Sequence, residues 1–135
     1  MIQRIQSIWL LLASAAAFSV LYLPFYYTIN PTTTALEIKG SDNLTTLISL
    51  AFSACLSVIT IFLYSNRMLQ LKVVLANLIL SLLIGYFVYK LAKDNPGGSF
   101  TLSSIFLFLI PVLQILAMYK IYQDEKLVKS SDRLR

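Results

Sequence analysis

Four stretches of this 135-residue chain run for about the thickness of a membrane without a single Asp, Glu, Lys or Arg. A hydrocarbon core of about 30 Å takes about 20 helical residues at about 1.5 Å each. Residues 5–27, 44–64, 73–89 and 100–119 are 23, 21, 17 and 20 residues long. They predict an all-α integral membrane protein: four transmembrane helices in one antiparallel bundle, with residues 120–135 as a short amphipathic cytoplasmic helical extension. The third stretch is the shortest, but eleven of its residues are Leu, Ile, Val or Phe. Their transfer into lipid outweighs the cost of Asn77, Ser81 and Gly85, with Lys72 and Lys90 snorkelling from its ends. The four spans take 81 residues, and the 54 that remain are too few for a separate active domain. Composition agrees, since 13% of the residues are charged where a soluble domain carries about 25%.

A signal peptide is the rival reading of the first stretch, because Arg4 precedes an apolar run containing Ala13, Ala15, Ala16 and Ala17. Those alanines lie inside the run, which stays apolar to Tyr27, whereas a signal core is shorter and ends at its cleavage site. The first stretch is therefore expected to remain as a span.

Lysine and arginine counts set the expected orientation. With the N-terminus inside, Arg4, Arg67, Lys72, Lys120, Lys126, Lys129, Arg133 and Arg135 face the cytoplasm, and Lys39, Lys90 and Lys93 lie outside. Eight against three places both termini on the cytoplasmic side. Trp9, Tyr64, Tyr119 and Tyr122 then fall near the inner ends, and Tyr26, Tyr27, Tyr86 and Tyr89 near the outer ends, as interfacial rings prefer. The outer connections read as turns at Asn30-Pro31, Gly40-Ser41-Asp42-Asn43 and Asp94-Asn95-Pro96-Gly97-Gly98. The Asn43-Leu44-Thr45 sequon abuts a span and is not expected to be an acceptor.

Chemistry is excluded residue by residue. A chain with no His and with Cys55 as its single cysteine lacks an intramolecular disulfide, an imidazole ligand and a Ser-His or Cys-His pair. No catalytic residue, cofactor site or metal site is expected, and the protein is not read as an enzyme. No span carries the buried ionisable group that marks many transporters. Ser49, Ser53 and Ser57 recur every four residues, as do Asn77, Ser81 and Gly85, so each set forms one stripe along a helix. Such stripes of small and neutral polar residues favour helix packing; lining a small oligomeric transporter or channel is the alternative.

Two segments outside the spans concentrate polar groups. Asn66, Arg67 and Gln70 supply more hydrogen-bonding capacity than a turn needs, although a solvated basic turn is the simpler account. In the tail, Glu125 and Lys129 form a favourable i,i+4 pair, and Leu127, Val128, Ser131 and Leu134 share a helical face. Basic residues there attract anionic lipid, but Asp124, Glu125 and Asp132 weaken that attraction and suit the mixed charges of a protein partner. The candidate docking residues are Arg4, Asn66, Arg67, Gln70, Asp124, Glu125, Lys126, Asp132, Arg133 and Arg135. The modest charge of +5 does not point to nucleic acid; the expected partners are the lipid bilayer and a larger membrane complex, and a homo-oligomer is compatible with both.

Three segments carry a family resemblance: Met1-Ile2-Gln3-Arg4-Ile5-Gln6-Ser7-Ile8-Trp9-Leu10-Leu11-Leu12-Ala13, Asn66-Arg67-Met68-Leu69-Gln70 through Asn77, and Asp124-Glu125-Lys126-Leu127-Val128-Lys129-Ser130-Ser131-Asp132-Arg133-Leu134-Arg135. Together they resemble an uncharacterised family of small four-span inner-membrane proteins of Bacteroidota, a domain of unknown function. The resemblance implies the four-helix topology and no activity. The reading it leaves is an accessory or structural subunit docking on a larger assembly, with protein translocation or membrane biogenesis as the settings to test first.

Overall fold

The computed structural model describes residues 3–30, 33–95 and 97–132. Four long helices form the bundle: α1 (Gln3–Tyr22), α2 (Leu44–Phe62), α3 (Arg67–Asp94) and α4 (Ile105–Asp132). Each contains a segment long and apolar enough to cross a membrane. Consecutive helices pack side by side and α4 closes the ring against α1. The order around the bundle is thus the order along the chain, as short connections between antiparallel helices dictate.

One end of the bundle carries three strands that the sequence reading did not foresee: β1 (Pro24–Asn30), β2 (Thr33–Lys39) and β3 (Ser99–Phe100). They form an antiparallel sheet in the order β2-β1-β3, with Tyr27 opposite Glu37 on one side and Ser99 on the other. The first span therefore stops at Tyr22 rather than Tyr27. Pro24 disfavours helix at the residue before it, and the aromatic and β-branched run Phe25-Tyr26-Tyr27-Thr28-Ile29 suits a pleated strand as well as a membrane interface.

The sheet is fastened to the helices by polar contacts. Gly40 N–H donates to the Val20 carbonyl at 3.1 Å, and the Gly40 carbonyl accepts from Thr46 Oγ1 at 2.9 Å. Thr101 ties down β1 through Oγ1 to the Pro24 carbonyl at 2.6 Å and N–H to the Phe25 carbonyl at 3.1 Å. Tyr26 Oη reaches the Asn95 carbonyl at the end of α3, at 2.9 Å, while its ring meets Phe100 edge-on. Tyr26 is consequently a buried sheet residue and not an exposed interfacial anchor.

Helix ends follow local signals. Asn43 caps α2 by accepting the Thr45 N–H at 3.0 Å, and Asn66 caps α3 by accepting that of Leu69 at 3.3 Å. The third helix is not short: it runs 28 residues, with Lys72 and Lys90 exposed inside it rather than at its ends. The tail is not a separate short helix either. It is the last part of α4, which continues unbroken through Pro111 to Asp132.

The bundle's outer wall is apolar, with Phe18, Phe52, Phe62, Leu82 and Phe108 all exposed. Inside, small side chains let the backbones approach: Ala13, Ala17, Ser53, Ala54 and Ala117 are each fully buried. Two apolar clusters divide the interior. One, next to the sheet, contains Val20, Phe25, Leu50, Ile84 and Ile110. The other, nearer the end that carries the two termini, contains Leu10, Val74, Ala117 and Ile121.

Candidate functional site

Polar side chains occupy the levels between and beyond these clusters. On α3, Asn77 and Ser81 fall between Val74 and Ile84; on α4, Gln114 falls between Ile110 and Ala117. Asn77 Nδ2 donates to the Ser53 carbonyl at 3.2 Å and to Ser57 Oγ at 2.9 Å, and Ser81 Oγ donates to Gln114 Oε1 at 3.0 Å. Ser53, Ser57, Asn77, Ser81 and Gln114 are all buried. This middle layer joins α2 to α3 and α3 to α4. Three of its atoms, Ser53 Oγ, Asn77 Oδ1 and Gln114 Nε2, are buried without a partner.

A second layer lies one turn beyond the lower cluster. Gln6, Gln70 and Asp124 sit three or four residues past Leu10, Val74 and Ile121 on their respective helices, which brings them to one level of the bundle. Gln70 Nε2 donates to the Thr60 carbonyl at 3.1 Å, and Arg67 Nη1 donates to the Asp124 main-chain carbonyl at 3.0 Å. Gln6, Gln70 and Asp124 are 2%, 1% and 5% exposed, and Gln6 Oε1, Gln70 Oε1 and Asp124 Oδ2 have no hydrogen-bond partner. Trp9 Nε1, three residues after Gln6 on α1, is also buried without a partner. Asp124 is thus an ionisable group inside a membrane-length helix, which the charge-free spans drawn on the sequence did not include.

The candidate docking residues separate on this geometry. Gln70 and Asp124 face the interior and offer nothing to a surface partner, because their side chains pack one turn beyond the lower cluster. Asn66 is exposed but spends its side-chain oxygen on the α3 cap. Arg67 is half-buried across Asp124, Glu125 is half-buried and Lys126 is exposed. Arg133 and Arg135 lie outside the described residues, as do the side chains of Arg4 and Asp132. Past Asp124, α4 presents Leu127 and Val128, 56% and 44% exposed.

The packing stripes also separate. Ser49 bonds back to the Thr45 carbonyl of its own helix at 2.7 Å, whereas Ser53, Ser57, Asn77 and Ser81 face other helices. Gly85 makes no close approach: a Cβ added there would meet nothing within 4 Å. It borders an apolar groove of about 400 Å³ between α3 and α4, together with Tyr89, Phe100, Phe108 and Pro111. Thr60 and Gln114 are readable from the sequence as neutral polar groups inside the second and fourth charge-free stretches; Gln6 is not singled out there, although it is an amide at the head of an otherwise apolar stretch.

Among the described residues, no three His, Cys, Asp or Glu side chains gather as metal ligands, and Cys55 is exposed on the outer wall. Fold and interior together define a membrane-type four-helix bundle with a sheet over one end and polar layers within. The chain belongs to the family Domain of unknown function (DUF4293), whose model matches residues 2–134. No curated protein matches it. No solved structure matches it either.

Proposed function

We propose that this is a non-catalytic integral membrane subunit that docks on a larger inner-membrane assembly through the end of the bundle holding its termini. One observation carries the reading. The bond from Arg67 to the Asp124 carbonyl fixes the level at which α3 begins, and α4 runs eight residues further, to Asp132. At about 1.5 Å per residue this overhang is about 12 Å long, and it presents Leu127 and Val128 to the surroundings beside Lys126. Acidic neighbours in the same stretch suit a protein surface better than anionic lipid alone. The Lys and Arg excess supports a cytoplasmic position for this end, where protein translocation or membrane biogenesis would supply partners.

The alternative, an oligomeric transporter or channel lined by the neutral stripes, needs those stripes on an outer face. Ser53, Ser57, Asn77 and Ser81 instead lie within the bundle of one chain, which favours docking. The test is purification of the intact chain from its native membrane beside a chain ending at Glu125. Both should insert, and the shortened chain should lose the assembly. Equal recovery with both chains would refute the docking role of the overhang.

A further inference from the structure

We infer that the groove between α3 and α4 binds one phospholipid with a net negative headgroup, an acyl chain lying in the groove and the phosphate at Lys93. The groove holds about 400 Å³ and runs along α3 from Ser81, in the middle polar layer, to Tyr89 near the sheet, and along α4 from Pro111 back to Ser104. At about 1.5 Å per residue the stretch from Ser81 to Tyr89 is about 12 Å long. That is close to one leaflet, which takes about 15 Å of a hydrocarbon core about 30 Å thick. The walls are apolar, because the two serines in the lining spend their hydroxyls elsewhere: Ser81 on Gln114 and Ser104 on the Thr101 carbonyl.

Gly85 is a second, independent observation. A glycine inside a helix weakens it relative to alanine, and in a membrane bundle close packing of backbones is what justifies one. Gly85 packs against nothing, since an added Cβ would meet no atom within 4 Å; what its missing side chain does is leave the groove open. The shape selects the occupant. Packed neighbours such as α3 and α4 have axes about 8–10 Å apart, so a helix about 10 Å across cannot enter between them, whereas a single hydrocarbon chain can.

Charge selects the headgroup. Lys93 lies one turn beyond Tyr89 and two beyond Gly85 on α3, which sets it over the sheet-side mouth of the groove. It is exposed, and among the described residues no carboxylate lies within 4.0 Å of its ammonium. Its neighbour Asp94 lines the other side of α3, toward α2. A basic residue beside an interhelical pocket attracts an anionic lipid headgroup, and the inference does not depend on the docking role.

The intact protein in phosphatidylcholine bilayers is given a trace of phosphatidylglycerol carrying an acyl-chain diazirine, irradiated and mapped by peptide. The label should concentrate on residues 81–89 and 104–111, saturate at one lipid per chain, and be displaced about fivefold better by phosphatidylglycerol than by phosphatidylcholine. Lys93→Gln should remove that preference, and Gly85→Leu, which fills the groove, should lose the groove label while that at Phe52 on the outer wall stays. If Gly85→Leu does not fold, the map of the unaltered protein carries the test. Label spread evenly over the outer wall, Phe52 included, would mean unselective lipid contact and overturn the proposal. So would a groove left unlabelled, as a second copy or another helix covering it would leave it, or a folded Gly85→Leu that keeps the label.

Discussion

Asn77 shows how a neutral polar side chain is used inside this bundle. Lipid gives helices no hydrophobic reason to associate, so close packing and interhelical hydrogen bonds must hold them. Asn77 supplies two such bonds to α2, at Ser53 and Ser57. In a double-mutant cycle, Asn77→Ala and Ser57→Ala should couple by about 0.6 kcal/mol, with about 1.7 kcal/mol as a ceiling. Reversible unfolding in mixed micelles measures it, and strictly additive losses would remove the Asn77–Ser57 bond as a link between α2 and α3. Three of the four glycines make the same point through space. An added methyl at Gly98 would run into the Tyr27 carbonyl and the Tyr26 ring, and at Gly40 it would come within 2.8 Å of the Val20 carbonyl. Gly98→Ala and Gly40→Ala should therefore lower stability by about 1–3 kcal/mol. Gly85→Ala meets nothing and should raise stability by up to about 1 kcal/mol, because the helix gains a better former. Thermal midpoints of the three variants decide the order.

The elements differ in how much of them could be read in advance. All four helices follow from charge-free length, because backbone groups in lipid must be satisfied within the segment. Their ends were less legible: α3 continues through Lys72 and Lys90, since lysine is a good helix former and its long stem reaches water from within a span. The sheet was hidden for another reason. Phe25, Tyr26 and Tyr27 fit an interfacial aromatic belt as well as a strand, and the pairing that decides between them, Tyr26 with Ile38 and Phe100, joins segments up to 74 residues apart. Of the candidate site, the residues of the stripes were visible by their spacing. The inward turn of Gln70 and Asp124 was not, because a polar residue near a span's end reads as solvated until its neighbours are placed. The sheet also makes its own prediction. The Glu37 carboxylate beside Tyr27, whose phenol donates to Oε1 at 3.4 Å, holds that phenol above the ordinary tyrosine value of 10.0. The folded sheet then binds this proton more tightly than the unfolded chain does. Its contribution is intact below pH 10.0 and falls as pH rises through the shifted value. Glu37→Gln should flatten that fall in the alkaline limb of the midpoint against pH, and an unchanged limb would count against the pairing.

At the scale of the whole molecule, the two ends of the bundle are unlike. The sheet covers one end and joins both connections on that side through Gly40, Tyr26 and Thr101. The other end holds a buried polar layer and the overhang of α4, so the groups able to meet a partner gather there. Removing residues 126–135 takes nothing from either apolar cluster, and the unfolding free energy of the shortened chain should stay within about 0.5 kcal/mol of the intact one. The docking account is tested most directly by photo-crosslinkers placed at Leu127 and Val128 in the native membrane, with one at Phe108 on the outer wall as reference. The account predicts a discrete adduct with another membrane protein from the two tail positions and lipid adducts from Phe108. Lipid adducts from all three positions would contradict it.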